Sequence, residues 1–327
     1  MRIATFNVQN MRLRRQGGGL HLDGARDGDI PADRTPEAAN LDLVDRDLTA
    51  RVLGEANADV VALQEVFDQA SLDHFHDHVM APAGVTAYPY RYCLPGNDGR
   101  GLDIALMSRL KPVRIESHAG ETPSSLGLEP VAGCKANDRV FRRDCLEVDL
   151  GPLTLFVSHF KAPYPDLDAA QPIRRLEAAA VAKLIERRFR QPDTAFWLVA
   201  GDLNEPGPAE RTAGSALEPI MALGGVDLML RISAEERWSF HQPYSEIYSR
   251  PDALIASRAL AEEHPDAVPG IIRSGLDFDA DRYSGKRLAG VGQHRPHASD
   301  HAAVVVDFPG LEGGPAAGPG ASKPSKT

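Results

Sequence analysis

The sequence predicts an α/β protein in which helices cover mixed β-sheets. Short apolar runs alternate along the chain with two long helical stripes, the order in which helices pack on sheet faces. Two further runs, residues 145–150 and 153–160, flank Gly151-Pro152 as a hairpin, so at least one sheet has antiparallel neighbours. With 43% hydrophobic and 25% charged residues over 327 positions, the chain is neither disordered nor fibrous. It is long enough to bury a large core without disulfides or a structural metal.

Residues 2–8, rich in Ile, Thr, Phe and Val, read as a buried strand ending at Asn7. Residues 11–36 carry Arg12, Arg14 and Arg15, then Gly17-Gly18-Gly19 and several Asp, and read as a long loop insertion. Leu41, Val44, Leu48, Val52 and Ala56 form one helical stripe that Asn57-Ala58-Asp59 stops. Val60-Val61-Ala62-Leu63 is then a strand that delivers Glu65 to its end. Residues 102–108 are a strand carrying Asp103. In the hairpin, Leu153, Leu155, Val157 and His159 share one face. Pro172 opens a helix reaching Arg190, with Ile173, Leu176, Ala180, Leu184 and Ile185 inward. Residues 195–200 are an apolar strand running into Gly201-Asp202-Leu203-Asn204, and strands follow near 238–241, 252–257 and 302–306. From residue 310 onward, Gly, Pro, Ala, Ser and Lys offer little to pack, so residues 310–327 are expected to be a disordered tail.

Lys and Arg number 36 against 46 Asp and Glu, a net charge of −10. Such a field does not attract phosphate backbones over a distance, which argues against a tight, sequence-independent DNA binder but leaves room for a local nuclease site. Cys93, Cys134 and Cys145 show no metal spacing and read as reduced thiols. No stretch is apolar for long enough to cross a bilayer, and the first residues lack a signal-peptide core, so the expected compartment is the cytoplasm.

One chemical pattern recurs: an apolar strand ends, and a residue able to bind metal or phosphate stands at its end. Asn7, Glu65, His159 and the pair Asp202 and Asn204 fit it, and Asp300-His301 lies just before a strand. In α/β sheets ligands gather at one rim, so these side chains are expected to converge. Any one of them alone is an ordinary strand-end residue; the repetition is the signal. Glu65 beside a buried strand needs a partner or a cation, and hard oxygen ligands suit Mg²⁺ or Mn²⁺ better than zinc. Gly201-Asp202-Leu203-Asn204 places a carboxylate and an amide where they can orient a water and a phosphate oxygen, or simply form an Asx turn. His159 and Lys161, at the same strand parity, are expected to face a bound anion. Asp252 is a candidate to fix the tautomer of His301. Among Arg139, Arg142 and Arg143, Arg142 is the candidate phosphate contact, against a solvated-surface alternative.

Thr5-Phe6-Asn7-Val8-Gln9-Asn10, Leu63-Gln64-Glu65-Val66, Ser158-His159-Phe160-Lys161, Gly201-Asp202-Leu203-Asn204 and Ser299-Asp300-His301 stand in the order seen in the endonuclease/exonuclease/phosphatase superfamily. Residues 101–109 resemble that group's second strand motif, and residues 141–148 a segment of its bacterial nuclease-like branch. The resemblance implies a deoxyribonuclease I-like, four-layer sandwich of two mixed β-sheets flanked by helices, in one catalytic domain over residues 1–309. It further implies Glu65 as the principal metal ligand, aided by Asn7 and Asp300. His159 and His301 would contact the scissile phosphate, oriented by Asp103 and Asp252 respectively, and Asp202 and Asn204 would position water or the leaving oxygen. Where many relatives have Ile-Asp-Tyr, this chain has Pro251-Asp252-Ala253, and the 11–36 insertion lies at the expected mouth of the cleft.

These features point to a Mg²⁺- or Mn²⁺-dependent phosphodiesterase acting on nucleic acid. The alternatives are a phosphatase or phosphodiesterase for a small or lipid-derived ester, and a non-catalytic binding protein on the same fold. Asp202 is the first choice of general base, with His301 and Asp252 as the rival assignment.

Overall fold

Alternation of side chains between two buried faces organises the molecule, which is known from a computed structural model describing residues 1–16, 18–26, 35–164, 166–205, 214–242 and 246–312. The strands among these residues are β1 (Arg2–Met11), β2 (Leu13–Gln16), β3 (Gly19–Leu22), β4 (Val60–Val66), β5 (Tyr90–Cys93), β6 (Asp103–Ser108), β7 (Arg114–Ser117) and β8 (Cys145–Asp149). They continue with β9 (Thr154–His159), β10 (Trp197–Asp202), β11 (Gly225–Asp227), β12 (Phe240–His241), β13 (Tyr248–Ser249), β14 (Asp252–Ser257), β15 (Gly270–Ile272) and β16 (Ala303–Asp307). One six-stranded sheet has the order β15-β16-β1-β4-β6-β5, and the other β11-β14-β10-β9-β8-β7. Each contains one parallel pair at its centre, β1 with β4 and β9 with β10, among antiparallel neighbours.

The inner faces meet in a shared apolar layer that includes Ile3, Val60, Ala62, Leu106, Leu155, Val157, Leu198, Ala200, Leu254 and Val304. Helix α1 (Pro36–Ala56) covers the outer face of the first sheet, with Leu48, Val52 and Leu53 against Phe6, Val61 and Leu63. Further along, α2 (Gln69–Phe75) and α3 (Pro123–Leu126) are short. Helix α4 (Leu167–Arg188) covers the second sheet, with Leu176, Val181 and Leu184 against Phe156, Val199 and Ile255. Helix, sheet, sheet, helix: the expected four-layer sandwich is the fold observed. No helix of the described residues is long and apolar enough to cross a membrane.

Several local expectations need correction. The 11–36 segment is not a plain loop: β2 and β3 pair as a hairpin, Leu13 opposite Leu22 and Gln16 opposite Gly19. The short Leu-His-Leu alternation after the glycines is enough to make a ladder; residues 17 and 27–34 lie outside the described set. On α1, Leu43 and Val44 are exposed while Asp42, Asp45 and Arg46 are buried, because the first turns pack on a network of charges and not on apolar side chains. Helix α4 starts at Leu167 and not at Pro172, since Asp166 caps it by accepting the Ala169 N–H. Pro172 therefore sits inside the helix. Leu311 packs on the inter-sheet core, so the described chain extends past residue 310; residues 313–327, expected to be disordered, lie outside the described residues.

Candidate active site

At one end of the sandwich the inner-face stripes change from apolar to polar. Ile3 and Thr5 lead to Asn7, Leu155 and Val157 to His159, Leu198 and Ala200 to Asp202, and Ala256 and Leu254 back to Asp252. Strand register then sets the last three side by side, because Asp202 is the partner of His159 on β9 and of Asp252 on β14. β9 and β10 approach closely at this point. A Cβ on Gly201 would lie 1.8 Å from the Ser158 carbonyl oxygen, so only glycine fits before Asp202.

Glu65 reaches the same place by another route. Parity along β4 puts Val60, Ala62 and Gln64 inward, which would turn Glu65 outward. Instead Glu65 has φ 67°, and the β4–β6 register slips between Gln64 and Val66. On β1, Gln9 and Asn10 are likewise left-handed, at φ 47° and 54°, where the β1–β4 register also shifts. These bulges return Glu65 to the cleft, where its Oε2 accepts the Asn10 N–H at 3.0 Å and its Oε1 the Asn7 amide at 3.3 Å.

The Oδ2 atom of Asp202 is the hub. The Asn7 amide donates to it at 3.1 Å, His159 Nε2 lies at 3.3 Å and His301 Nε2 at 3.8 Å. His301 Nδ1 is 2.9 Å from Asp252 Oδ2, which also accepts the Ser239 hydroxyl at 2.6 Å. The Asp300 N–H donates to Gln9 Oε1, and the Ser299 hydroxyl donates to the Asn7 carbonyl at 2.7 Å, tying the Asp300 turn to the end of β1. Asp202 Oδ1 accepts the Asn204 N–H at 3.0 Å, and the Asn204 amide donates to Phe160 O at 3.1 Å, so this pair forms the Asx turn as well as lining the site.

Burial and charge split the titrating groups. Burial pushes the Asp202 carboxyl up to about 6; Asp252 and Glu65 add to this, while His301 and the Asn7 amide oppose it. Burial works against a charged His301, yet Asp252, Asp300 and Asp202 outweigh it and raise the imidazole well above its ordinary value. For His159, burial and then the charges of Arg143, His301 and Arg100 act together and hold it well below. Charge is thus favoured on His301 and disfavoured on His159.

Three sequence expectations do not match this geometry. His159 is partnered by Asp202 and not by Asp103. Asp103 is instead held near the Gly96 amide, and burial followed by Asp98, Asp144 and Asp68 pushes its carboxyl up to about 6. Lys161 lies beyond the end of β9, and its ammonium is spent on the carbonyls of Ala162 and Tyr164. Arg142 turns away to the Gly133 carbonyl. Its neighbour Arg143, which sequence alone does not separate from it, is buried against the site, donating to Phe160 O at 3.1 Å and pairing with Asp98 at 3.1 Å. Asp98 also holds Arg100.

Residues 4–270 match the model of the Endonuclease/Exonuclease/phosphatase family. The chain belongs to this family. The structure is similar to an endonuclease/exonuclease/phosphatase from Beutenbergia cavernae (TM-score 0.58, 16% identity, covering 93% of this chain and 70% of that one). It is also similar to truncated TDP2 from Caenorhabditis elegans (0.53, 15%, 93% and 96%) and to an AP endonuclease from Archaeoglobus fulgidus (0.51, 15%, 94% and 99%). No curated protein sequence matches the chain. As a member of the family, the protein is a metal-dependent hydrolase of phosphoric esters.

The donors at the cleft suit the divalent ion this family uses. Glu65 and Asp202 share one amide of Asn7 as hydrogen-bond partner, so two carboxylates converge on a point with Asp252 close behind. Burial raises the Asp202 carboxyl first, and repulsion from Asp252 and Glu65 adds to it; a hard cation relieves that repulsion. Another trio, Glu116, His118 and Glu147, has donor atoms within 4.8 Å of one another. Glu116 is on β7, His118 just past its end and Glu147 on β8, where Arg114 pairs with both glutamates and Arg188 lies 3.6 Å from Glu147, so guanidinium groups already balance its charge.

Proposed function

We propose that the chain is a divalent-metal-dependent phosphodiesterase that cleaves nucleic acid. The observation that carries this reading is the convergence of His159, His301 and Asn7 on Asp202 Oδ2 within 3.8 Å. Glu65, Asn7 and Asp300 would hold Mg²⁺ or Mn²⁺, which draws charge from a non-bridging phosphate oxygen. His301, kept as an imidazolium by Asp252, donates where negative charge develops on the ester. His159, neutral and beside Asp202, offers a second donor. With His301 protonated, Asp202 is the remaining base for the attacking water, and Asn204 sets its loop. Arg143 and Arg100 supply the phosphate contact expected of Arg142.

A nucleic-acid substrate is supported by the similar D. rerio TDP2 structure, which is complexed with a single-strand DNA product (17% identity, TM-score 0.52, covering 94% of this chain and 97% of that one). A cavity of about 460 Å³ beside the site, lined by Trp238, Tyr248, Arg250 and Arg282, has room for a group flanking the phosphate. The net charge of −10 favours a second reading, a small or lipid-derived phosphate ester. Turnover with Mg²⁺ on single-stranded and duplex DNA and RNA, set beside sugar phosphates and phospholipids, decides between them. The nucleic-acid reading requires kcat/KM on a nucleic acid to exceed that on every small ester, and Glu65→Ala to abolish hydrolysis of all of them.

A further inference from the structure

Behind the cleft lies a fully buried cation that the chemistry above does not use. Arg46, on α1, is 1% exposed. It donates to four backbone carbonyls: Asp23 at 2.5 Å, Val8 and Gln9 at 2.6 Å each, and Gly24 at 2.8 Å. Asp45, Asp23 and Asp42 keep its charge balanced, and Arg295 in turn pairs with Asp42 and Asp45.

Two of those carbonyls belong to the stretch that shapes the metal end of the site. When β1 bulges at Gln9 and Asn10, its backbone turns left-handed at two consecutive non-glycine residues, a conformation that survives only where neighbours over-determine it. The turn aims the Gln9 N–H at Asn7 Oδ1 (3.0 Å) and the Asn10 N–H at Glu65 Oε2 (3.0 Å). It also presents the Gln9 side chain to the Asp300 amide. The same turn leaves the Val8 and Gln9 carbonyls facing the protein interior, where water does not reach them and an unmade hydrogen bond is costly. A single planar guanidinium meets both and clips them to the chain just after β3.

We propose that Arg46 is a positioning residue for the metal site: by holding the Val8 and Gln9 carbonyls it maintains the left-handed turn that orients Asn7 and Glu65. The proposal rests on Glu65 and Asn7 as metal ligands. A lysine at 46 keeps the charge but cannot reach four carbonyls from one plane. Glycine at position 10 adopts positive φ without strain, so it should lessen the need for the clamp.

The test uses the whole chain and reads Mn²⁺ binding directly, by the paramagnetic resonance of the free ion, at a temperature far below the melting of each variant. Arg46→Lys is expected to weaken Mn²⁺ binding at least about tenfold, and to shift the metal needed for half-maximal rate by the same factor while kcat at saturating metal stays near wild type. Arg46→Lys with Asn10→Gly should recover most of that affinity. Wild-type Mn²⁺ affinity in Arg46→Lys overturns the proposal, and so does a double variant that binds no better than the single one. If Arg46→Lys does not fold, the double variant must fold and bind; failure of both shows that Arg46 serves the core as a whole and overturns the positioning role. Glu65→Gln is the separate control. Its retaining Mn²⁺ would refute the ligand assignment beneath the proposal, whereas its losing Mn²⁺ while Arg46→Lys binds normally would refute the proposal alone.

Discussion

Replacing Asp252 by asparagine tests how the two histidines are divided. Asp252 is fully buried and its Oδ2 accepts from both His301 and Ser239, so asparagine keeps the shape and one hydrogen bond but removes the charge. At an effective dielectric near 20, unit charges about 4 Å apart attract by about 4 kcal/mol, and this attraction is what opposes the burial penalty on the imidazolium. If that charge is used on the developing phosphate negative charge, losing it lowers kcat by about three powers of ten. Because asparagine and a neutral His301 leave no unpaired buried charge, the melting temperature should move little. The assay is the rate on an activated phosphodiester from pH 5 to 9, paired with the NMR titration of the His301 ring protons. The expected result is a large fall in kcat, KM within about threefold, and a His301 titration displaced to lower pH. A variant within tenfold of wild type, with the ring titrating unchanged, would refute the reasoning.

Gly201→Ala should destabilise the protein by roughly 3 kcal/mol and abolish turnover, because the added carbon meets the Ser158 carbonyl between His159 and Asp202; thermal melting beside activity checks both. Arg143→Ala is expected to raise KM for a phosphodiester and lower kcat, while Arg142→Ala leaves both within about threefold, reversing the order expected from sequence. Glu177 is fully buried on α4 and accepts the N–H groups of Arg142 and Lys161 at 2.9 and 2.7 Å, and burial pushes its carboxyl up to about 7. Its folded value therefore exceeds the unfolded one, so its contribution is fully present below about pH 4.5 and is lost as pH rises through 7, a swing of roughly 3 kcal/mol. Urea denaturation across that window should show the fall in wild type and a flatter profile in Glu177→Gln.

Period-two alternation was legible in the sequence, and it determined more than secondary structure. The same parity that sends Leu155 and Val157 into the core carries His159 into the cleft, and Leu198 and Ala200 do so for Asp202. Local sequence sets which face a strand residue takes, because each Cβ alternates by geometry. The partner across the sheet is another matter: whether His159 meets Asp103 or Asp202 depends on register between segments far apart in the chain, which no local pattern encodes. Glu65 shows the limit most clearly. Its parity points outward, and only a left-handed bulge, held through the hydrogen bonds of Asn10 and the carbonyls gripped by Arg46, turns it back to the metal end. Arg46 itself sits in the charged early turns of a helix and carries no sequence mark of its role, because its partners are backbone atoms brought together by tertiary folding alone.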